Sequence, residues 1–140
     1  MTTIFTRIIN GEIPGTFVWR DETCVAIMTK DPIQPGHTLV IPIAEVDHWT
    51  DLDATTAAHL MQVAQQIGQA QMRAFTPTRV GLMIAGLEVP HVHLHVIPMN
   101  TMAHLSFANA VVDADPTGIQ AAADKIRLSL GSVGANGVAS

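Results

Sequence analysis

Three histidines alternate with aliphatic residues in the stretch His91–Ile97, which reads HVHLHVI. In a β-strand successive side chains point to opposite faces, so residues two apart share a face. We therefore expect the three imidazoles in a row on one side and the aliphatic side chains in a core on the other. Pro90 and Pro98 bracket the stretch and are expected outside a central strand, because proline cannot donate to the ladder. Such a row suits metal ligation, proton transfer, or nucleophilic attack on phosphorus.

Two further segments accompany this row. Gly36–Pro42 reads GHTLVIP, a histidine that opens an aliphatic strand, and Ile4–Pro14 reads IFTRIINGEIP. In this order, and with the histidine row, the segments resemble the signatures of the histidine-triad (HIT) family, and they are most similar to its small, single-domain Hint-like branch. The resemblance runs from about Thr3 to about Met99, so roughly the last forty residues lie outside it.

The resemblance implies a role for each histidine. His93 matches the family's nucleophile and would carry a covalent nucleotidyl intermediate. His95 would contact phosphate oxygens and help to protonate the leaving group, while His91 and His37 would orient the row. The implied activity is that of a hydrolase or transferase that hydrolyses nucleoside phosphoramidates or related mononucleotide esters and anhydrides. Two alternatives stay open: a weakly catalytic nucleotide-binding regulatory protein, and a dinucleoside polyphosphate hydrolase.

The resemblance also implies which residues would contact the nucleotide, namely Phe5, Ile8, Ile27, Thr29, Gly86, Leu87, Glu88 and Val89. Backbone N–H groups of the loop at residues 86–89 could surround an anion such as a phosphate. Thr29 stands where the family usually carries an aspartate that holds the ribose hydroxyls. Leu87 replaces an amide side chain, and Glu88 brings a negative charge towards the phosphate. These departures leave the nucleoside specificity open.

A metal site is the competing use of the histidine row, since histidines two apart on a strand ligate zinc in other proteins. Between Ala85 and Ile97 the only other candidate ligand is Glu88. Some family members have a structural zinc site that uses an N-terminal Cys-x-x-Cys, and the matching place here, Ile4–Arg7, reads IFTR. We therefore predict no metal site and no cofactor.

The composition limits the class of protein. The chain of 140 residues is long enough for one domain with its own core. It is 48% hydrophobic with a formal net charge of −5, which argues against disorder and against nucleic-acid binding through a basic surface. Cys24, the single cysteine, can form no internal disulfide. No signal-like or membrane-spanning stretch is seen, so we expect a cytoplasmic protein. The family resemblance implies a small nucleotide as its partner.

Hydrophobic periodicity indicates the elements that must position these residues. Helical spacing predicts a short helix over residues 3–10 and a long helix from about Asp53, its favoured cap over Asp51, to about Phe75. A further helix is predicted over residues 116–130, capped by Asp115 and stopped by Gly131. β-rich runs predict five strands, at residues 16–20, 24–28, 37–41, 79–85 and 92–97.

This order of elements predicts an α+β fold, with a five-stranded, mainly antiparallel sheet and the long helix packed on it. The resemblance implies the HIT-like fold, with a short N-terminal helix and an extra C-terminal helix added. We expect residues 1–130 to form a single HIT domain, with a divergent extension over residues 100–130. The small residues 131–140 are expected to be a disordered tail.

The long predicted helix carries no charged residue between Asp53 and Arg73. A helix exposed on one face normally keeps charges there, and the apolar surface of this one is wider than a single stripe. An alanine- and glutamine-rich exposed helix remains possible. The resemblance favours a homodimer built across this helix and an adjoining edge strand.

Overall fold

A computed structural model describes residues 2–140, so residue 1 of the expected domain lies outside the described part. The fold is α+β, as predicted, and is built from three α-helices and five strands. The helices are α1 (Ile4–Ile9), α2 (Ala54–Phe75) and α3 (Pro116–Ser132), and the strands are β1 (Phe17–Arg20), β2 (Cys24–Met28), β3 (Thr38–Pro42), β4 (Arg79–Met83) and β5 (Leu94–Met99). Short 3₁₀ turns lie at Trp49–Asp51, Met102–Leu105 and Phe107–Asn109.

The five strands form one antiparallel sheet in the order β1-β2-β3-β5-β4. Side chains alternate between its two faces, as a period of two requires. One face carries Val40, Leu94 and Val96 into a core with α2 and α3. The other face carries a smaller cluster with α1, made by Phe5, Val25, Ile27, Leu39 and Ile41. The α+β class and the five-stranded antiparallel sheet predicted from the sequence are confirmed.

The two long helices begin where their caps were predicted. The Asp53 carboxylate accepts a hydrogen bond from Thr56 N at 2.7 Å, and the Asp115 carboxylate accepts one from Thr117 N at 2.9 Å. These bonds satisfy N–H groups that the first turn of a helix leaves without partners. On the face that carries the larger core, α2 packs against β3, β5 and β4, while α3 packs beside α2 and against β1.

The last strand differs from its prediction at both ends. β5 begins at Leu94, so His91 and His93 precede the strand, because Val92 N donates to Val46 O instead of pairing with β3. Pro98 lies inside β5, opposite Val80 of β4. The expectation that Pro98 stays outside the strand is wrong. β5 pairs with β3 only as far as Val96, so no hydrogen bond to β3 requires an N–H group at position 98.

The C-terminal residues also differ from expectation. α3 runs through Gly131 to Ser132, so Gly131 does not stop it. The segment expected to be a disordered tail contacts the edge strand β1. Gly137 O accepts a hydrogen bond from Arg20 N at 2.8 Å, and Ala139 N donates to Val18 O at 3.1 Å. Gly137 lies so close to the Trp19 indole that a Cβ there would overlap it.

None of the helices in the described part of the chain, residues 2–140, is both long enough and apolar enough to cross a membrane.

Candidate active site

The predicted histidines lie on the α1 side of the sheet in a row of edge-on and tilted rings. The loop before β5 supplies His91 and His93, β5 supplies His95, and the loop before β3 supplies His37. Neighbouring ring centroids are 4.9 Å apart from Phe5 to His93 and from His93 to His95. His37, His91, His93 and His95 are all buried, with at most 8% of their surface exposed. Burial means that the partners of each ring nitrogen determine its protonation.

Both ring nitrogens of His91 are used inside the protein. Nε2 lies 2.7 Å from Pro42 O, and since a carbonyl only accepts, Nε2 carries the proton. Nδ1 then accepts the hydroxyl proton of Thr3, 2.6 Å away. The same Thr3 oxygen caps α1 by accepting from Thr6 N at 3.2 Å. His91 is therefore held between the N-terminal helix and β3. It contacts the next ring of the row, His93, through its backbone carbonyl.

His93 is held by the backbone of His91. Its Nδ1 lies 2.7 Å from His91 O, so Nδ1 is the protonated nitrogen and donates. The lone pair of the neutral ring is consequently at Nε2. The edge of Phe5 packs against this ring and fixes its plane. A neutral imidazole with a free Nε2 lone pair is the form that can attack an electrophile.

His37 and His95 form a hydrogen-bonded pair with a defined direction. Ile33 N donates to His37 Nδ1 at 3.0 Å, so the proton of the neutral His37 ring is on Nε2. Nε2 of His37 in turn donates to His95 Nδ1 at 2.9 Å. His95 therefore carries its proton on Nε2. The backbone N–H of Ile33 thus determines, through the His37 ring, that His95 presents an N–H donor beside the His93 ring.

Burial also keeps these rings neutral. Burial, reinforced by His95, lowers the pKa of His37 to about 3. Burial, reinforced by His93, lowers the pKa of His95 to about 4. Burial lowers the pKa of His93 as well, although the hydrogen bond to His91 O and the charge of Glu88 raise it in part. All three are accordingly neutral near pH 7.

A cavity of about 130 Å³ opens onto the row and is lined by residues 85–88, His93, His95 and Phe107. Gly86 has φ +80°, a conformation that favours glycine. Within residues 2–140, no group accepts a hydrogen bond from the backbone N–H of residues 86–88. The loop that carries these N–H groups lines the cavity that His93 and His95 share. Of the residues predicted to contact a nucleotide, the structure places Gly86, Leu87 and Glu88 here.

The other predicted nucleotide contacts lie elsewhere. Phe5 and Ile27 belong to the α1-side cluster, with Ile8 and Val89 packed against it, next to the histidine row. Thr29 does not line the cavity of His93. It lines a separate cavity of about 310 Å³ that also borders His37, and its hydroxyl accepts from Asp31 N at 3.2 Å. The structure thus brings the loop together with His93 and His95, whereas Thr29 lies beside His37 and outside the cavity of His93.

Phe107 lines the cavity and was not predicted from the sequence. Its ring meets His95 edge-on with a centroid separation of 4.9 Å, and it forms one wall of the cavity. It lies in a 3₁₀ turn of the C-terminal segment, outside the family resemblance and without hydrophobic periodicity. Its only sequence signal is that it is one of four phenylalanines in a chain with few aromatic residues.

The residues here do not fit the zinc site of the family members that carry Cys-x-x-Cys. Positions 4 and 7 are Ile and Arg, and both nitrogens of His91 already have partners. Elsewhere, Asp21, Cys24 and His59 bring donor atoms within 4.8 Å of one another. Burial raises the pKa of the Cys24 thiol, which stays protonated and donates to the Asp21 carboxylate. We derive no chemistry from a metal.

The Asp21 carboxylate of that group already has four further donors. It accepts hydrogen bonds from the Trp19 indole, from Thr23 N, from Cys24 N and from His59. Burial alone would raise the pKa of Asp21, but these bonds outweigh it and lower the pKa to about 2. The carboxylate therefore fastens the β1–β2 turn to α2.

Comparison with known proteins adds independent findings. The family model described as HIT domain matches residues 10–102. An uncharacterized HIT-like protein of Borreliella burgdorferi is 34% identical over 102 residues, which cover 68% of this chain and 73% of that protein. The adenylylsulfatase HINT3 of Arabidopsis thaliana is 27% identical over 68% of this chain and 51% of its own length. The crystal structure of a hypothetical histidine triad nucleotide-binding protein from Sulfolobus tokodaii superposes with a TM-score of 0.81 at 29% identity, covering 92% of each chain.

Proposed function

This chain belongs to the histidine-triad family of nucleotide-binding, hydrolase-like proteins, and from that premise we propose that it hydrolyses nucleoside phosphoramidates or related mononucleotide derivatives through a nucleotidyl-His93 intermediate. The observation that carries the proposal is the bond from His93 Nδ1–H to His91 O, which leaves the Nε2 lone pair free. His93 lines a cavity together with the loop at residues 85–88, and the N–H groups of residues 86–88 have no acceptor within residues 2–140. A nucleophile beside free N–H donors is the combination that attack on a phosphoryl group requires.

The proposed reaction has two steps. First, His93 Nε2 attacks the phosphorus, and the bond from phosphorus to the leaving nitrogen breaks as that nitrogen takes a proton from a water molecule held by the N–H of His95 Nε2. The phosphorylated His93 ring then carries a positive charge. Second, the hydroxide so formed attacks the phosphorus, and the bond from His93 to phosphorus breaks. The products are a nucleoside monophosphate and an amine, and both rings regain their starting forms.

Turnover of a fluorogenic nucleoside phosphoramidate by the purified chain tests this proposal. An adenylyl sulfate arm belongs in the same experiment, since a relative is named an adenylylsulfatase and the same nucleotidyl group would pass to His93. A dinucleoside polyphosphate arm covers the third substrate class. The regulator alternative is favoured by Leu87 and Glu88, which put an apolar and an acidic side chain at the cavity. If calorimetry shows nucleotide binding but none of the three substrate classes is turned over, the hydrolase proposal would be rejected in favour of the regulatory protein.

The charge of Glu88 should weaken substrate binding and shift the pH profile. Glu88→Gln removes a carboxylate that repels phosphate and raises the pKa of His93. We expect KM to fall by about 2–5-fold, since exposed charges are screened by solvent. The acid limb of the pH profile of kcat/KM should move to lower pH, because His93 without the charge of Glu88 stays neutral down to a lower pH. Glu22→Gln, an exposed carboxylate at the β1–β2 turn, is the control. An acid limb that moves upward in Glu88→Gln would contradict the assignment.

The proposal includes a homodimer across α2 and the edge strand β4. α2 exposes Met61 and Met72, and β4 exposes Leu82. β4 has a free edge, and α2 lies on its side of the sheet, with Gly68 against Val80. Apolar side chains beside a free edge favour a second copy paired by a two-fold axis.

Sedimentation equilibrium at micromolar concentration should give about 30 kDa, twice the chain mass of 15.0 kDa. Leu82→Glu should convert the dimer into a monomer, because the charge would be buried at the pairing edge. Leu128→Glu alters an equally apolar but more exposed residue on α3 and should leave the dimer intact. A wild-type protein of 15 kDa would rule this interface out.

A further inference from the structure

Gln71 is a polar side chain buried in the apolar core between α2 and the sheet, with none of its surface exposed. Its amide nitrogen donates to two backbone oxygens, Gly36 O and Val96 O, each at 2.9 Å. Its Oε1 has no hydrogen-bond partner among residues 2–140. An unpaired buried acceptor is costly, and an apolar side chain would avoid that cost. The two donated bonds therefore call for an explanation other than core packing.

The two carbonyls flank the histidine pair. Gly36 directly precedes His37, and Val96 directly follows His95, the residues joined by the 2.9 Å bond between their rings. The ladder between β3 and β5 ends at the Thr38–Val96 pair, so no strand pairing joins the backbone of residues 36–37 to β5. The amide of Gln71 bridges that gap from the opposite face of the sheet.

α2 holds the same turn with a second side chain. Phe75 lies one helical turn after Gln71, on the same face, and packs against Gly36. Gly36 has φ +93°, and a Cβ there would lie 2.6 Å from the Phe75 ring. Gly36 is thus held by packing and by a hydrogen bond, and its carbonyl also accepts from the Thr38 hydroxyl at 2.8 Å. The position of His37 follows from this arrangement.

We propose that Gln71 is a positioning residue for the reaction, setting the distance between His37 and His95 by tying Gly36 O and Val96 O together. This inference rests on the proposed function only for its kinetic consequence. Without the bridge the His37 ring would move away from His95, and His95 would lose the donor that keeps its proton on Nε2. A misplaced proton donor slows proton transfer and leaves substrate binding nearly unchanged.

Gln71→Met tests the proposal, because methionine fills a similar volume and donates no hydrogen bond. Imidazole ¹⁵N spectra of the full chain without substrate should show His37 and His95 as single Nε2–H forms in the wild type. In Gln71→Met, His95 should become a mixture of Nε2–H and Nδ1–H forms. For phosphoramidate turnover, kcat should fall by about tenfold or more while KM stays within about threefold.

Ile67→Val is the matched control, since Ile67 is buried on the same helix one turn earlier. It should lower stability while leaving the histidine forms and kcat unchanged. Gln71→Asn is the second variant if Gln71→Met does not fold, because it keeps the amide but is one methylene shorter. Asn should reach only one carbonyl and shift the His95 mixture part of the way.

Unchanged His95 spectra in a folded Gln71 variant would overturn the proposal, as would an equal shift in Ile67→Val. The spectra also separate this proposal from the proposed function. A shifted His95 mixture together with a wild-type protein that turns over no substrate would support the positioning role and reject the enzymatic activity.

Discussion

His93→Asn should abolish turnover of a nucleoside phosphoramidate, with a loss of about 10⁴-fold or more, while the protein stays folded. The side chain lies at the cavity and makes its one hydrogen bond to the His91 carbonyl, so asparagine removes the Nε2 lone pair with little loss of packing. Removing a nucleophile eliminates the covalent route, whereas removing a general base alone costs about 10²–10⁴-fold. Steady-state kinetics and a near-wild-type unfolding midpoint are the two measurements.

The intermediate itself distinguishes the nucleophile from a base. Rapid acid quench and mass spectrometry of the wild-type protein should detect a nucleotidyl group bound to the peptide that contains His93. His48→Asn is the control, because His48 is an exposed histidine that does not line the cavity. It should leave turnover within about twofold of the wild type. Fast turnover without any nucleotidyl-histidine would mean that water attacks directly and that His93 acts as a base.

Acidification should destabilise the fold steeply between pH 6.5 and about 4. The pKa of His37 is lowered to about 3 and that of His95 to about 4, whereas in the unfolded chain histidine titrates near 6.5. Within this window the unfolded state binds more protons than the native state, so stability is complete above pH 6.5 and is lost as pH falls. Each such histidine contributes a slope of about 1.4 kcal/mol per pH unit.

For His37 and His95 together, the free energy of unfolding should fall by about 4 kcal/mol between pH 6 and pH 4.5. This is a large share of the roughly 5–15 kcal/mol by which typical domains are stable. Urea unfolding at a series of pH values measures it. His37→Gln removes one titrating ring and should reduce the slope by about 1.4 kcal/mol per pH unit. The lowered pKa of Asp21, about 2, acts below this window. A stability that is flat from pH 6.5 to pH 4.5 would contradict the neutral, buried state of the rings.

Local patterns were enough to predict most of the framework. The alternation of residues 91–97 predicted that Val92, Leu94 and Val96 enter the core, and they do. Asp53 and Asp115 were predictable as caps, because a cap bond joins residues two or three positions apart. Family signatures predicted the fold, and they singled out the four histidines that the structure places in one row. Each of these features depends on neighbours in the chain, which the sequence displays directly.

The protonation of two histidines depends on partners that are distant in the chain. Nε2 of His91 is protonated because Pro42 O lies opposite, and Nδ1 of His95 accepts from Nε2 of His37. The bonds that set His93 and His37 reach only to His91 O and Ile33 N, yet the sequence does not show which ring nitrogen faces them. No local pattern specifies these arrangements, so the assignment of protons to ring nitrogens required the tertiary structure. The same holds for Phe107 over His95, for the bridge made by Gln71, and for the separation of Thr29 from the cavity.

One physical reason explains why some features could be predicted from the sequence and others could not. The sequence by itself determined the order of the elements and which side chains share a face, because helices and strands repeat every few residues. Tertiary structure alone decided which nitrogen carries a proton, where the C-terminal segment covers the site, and that residues 137–139 pair with β1. These outcomes depend on the desolvation of polar groups, which must find partners wherever folding brings a donor and an acceptor together.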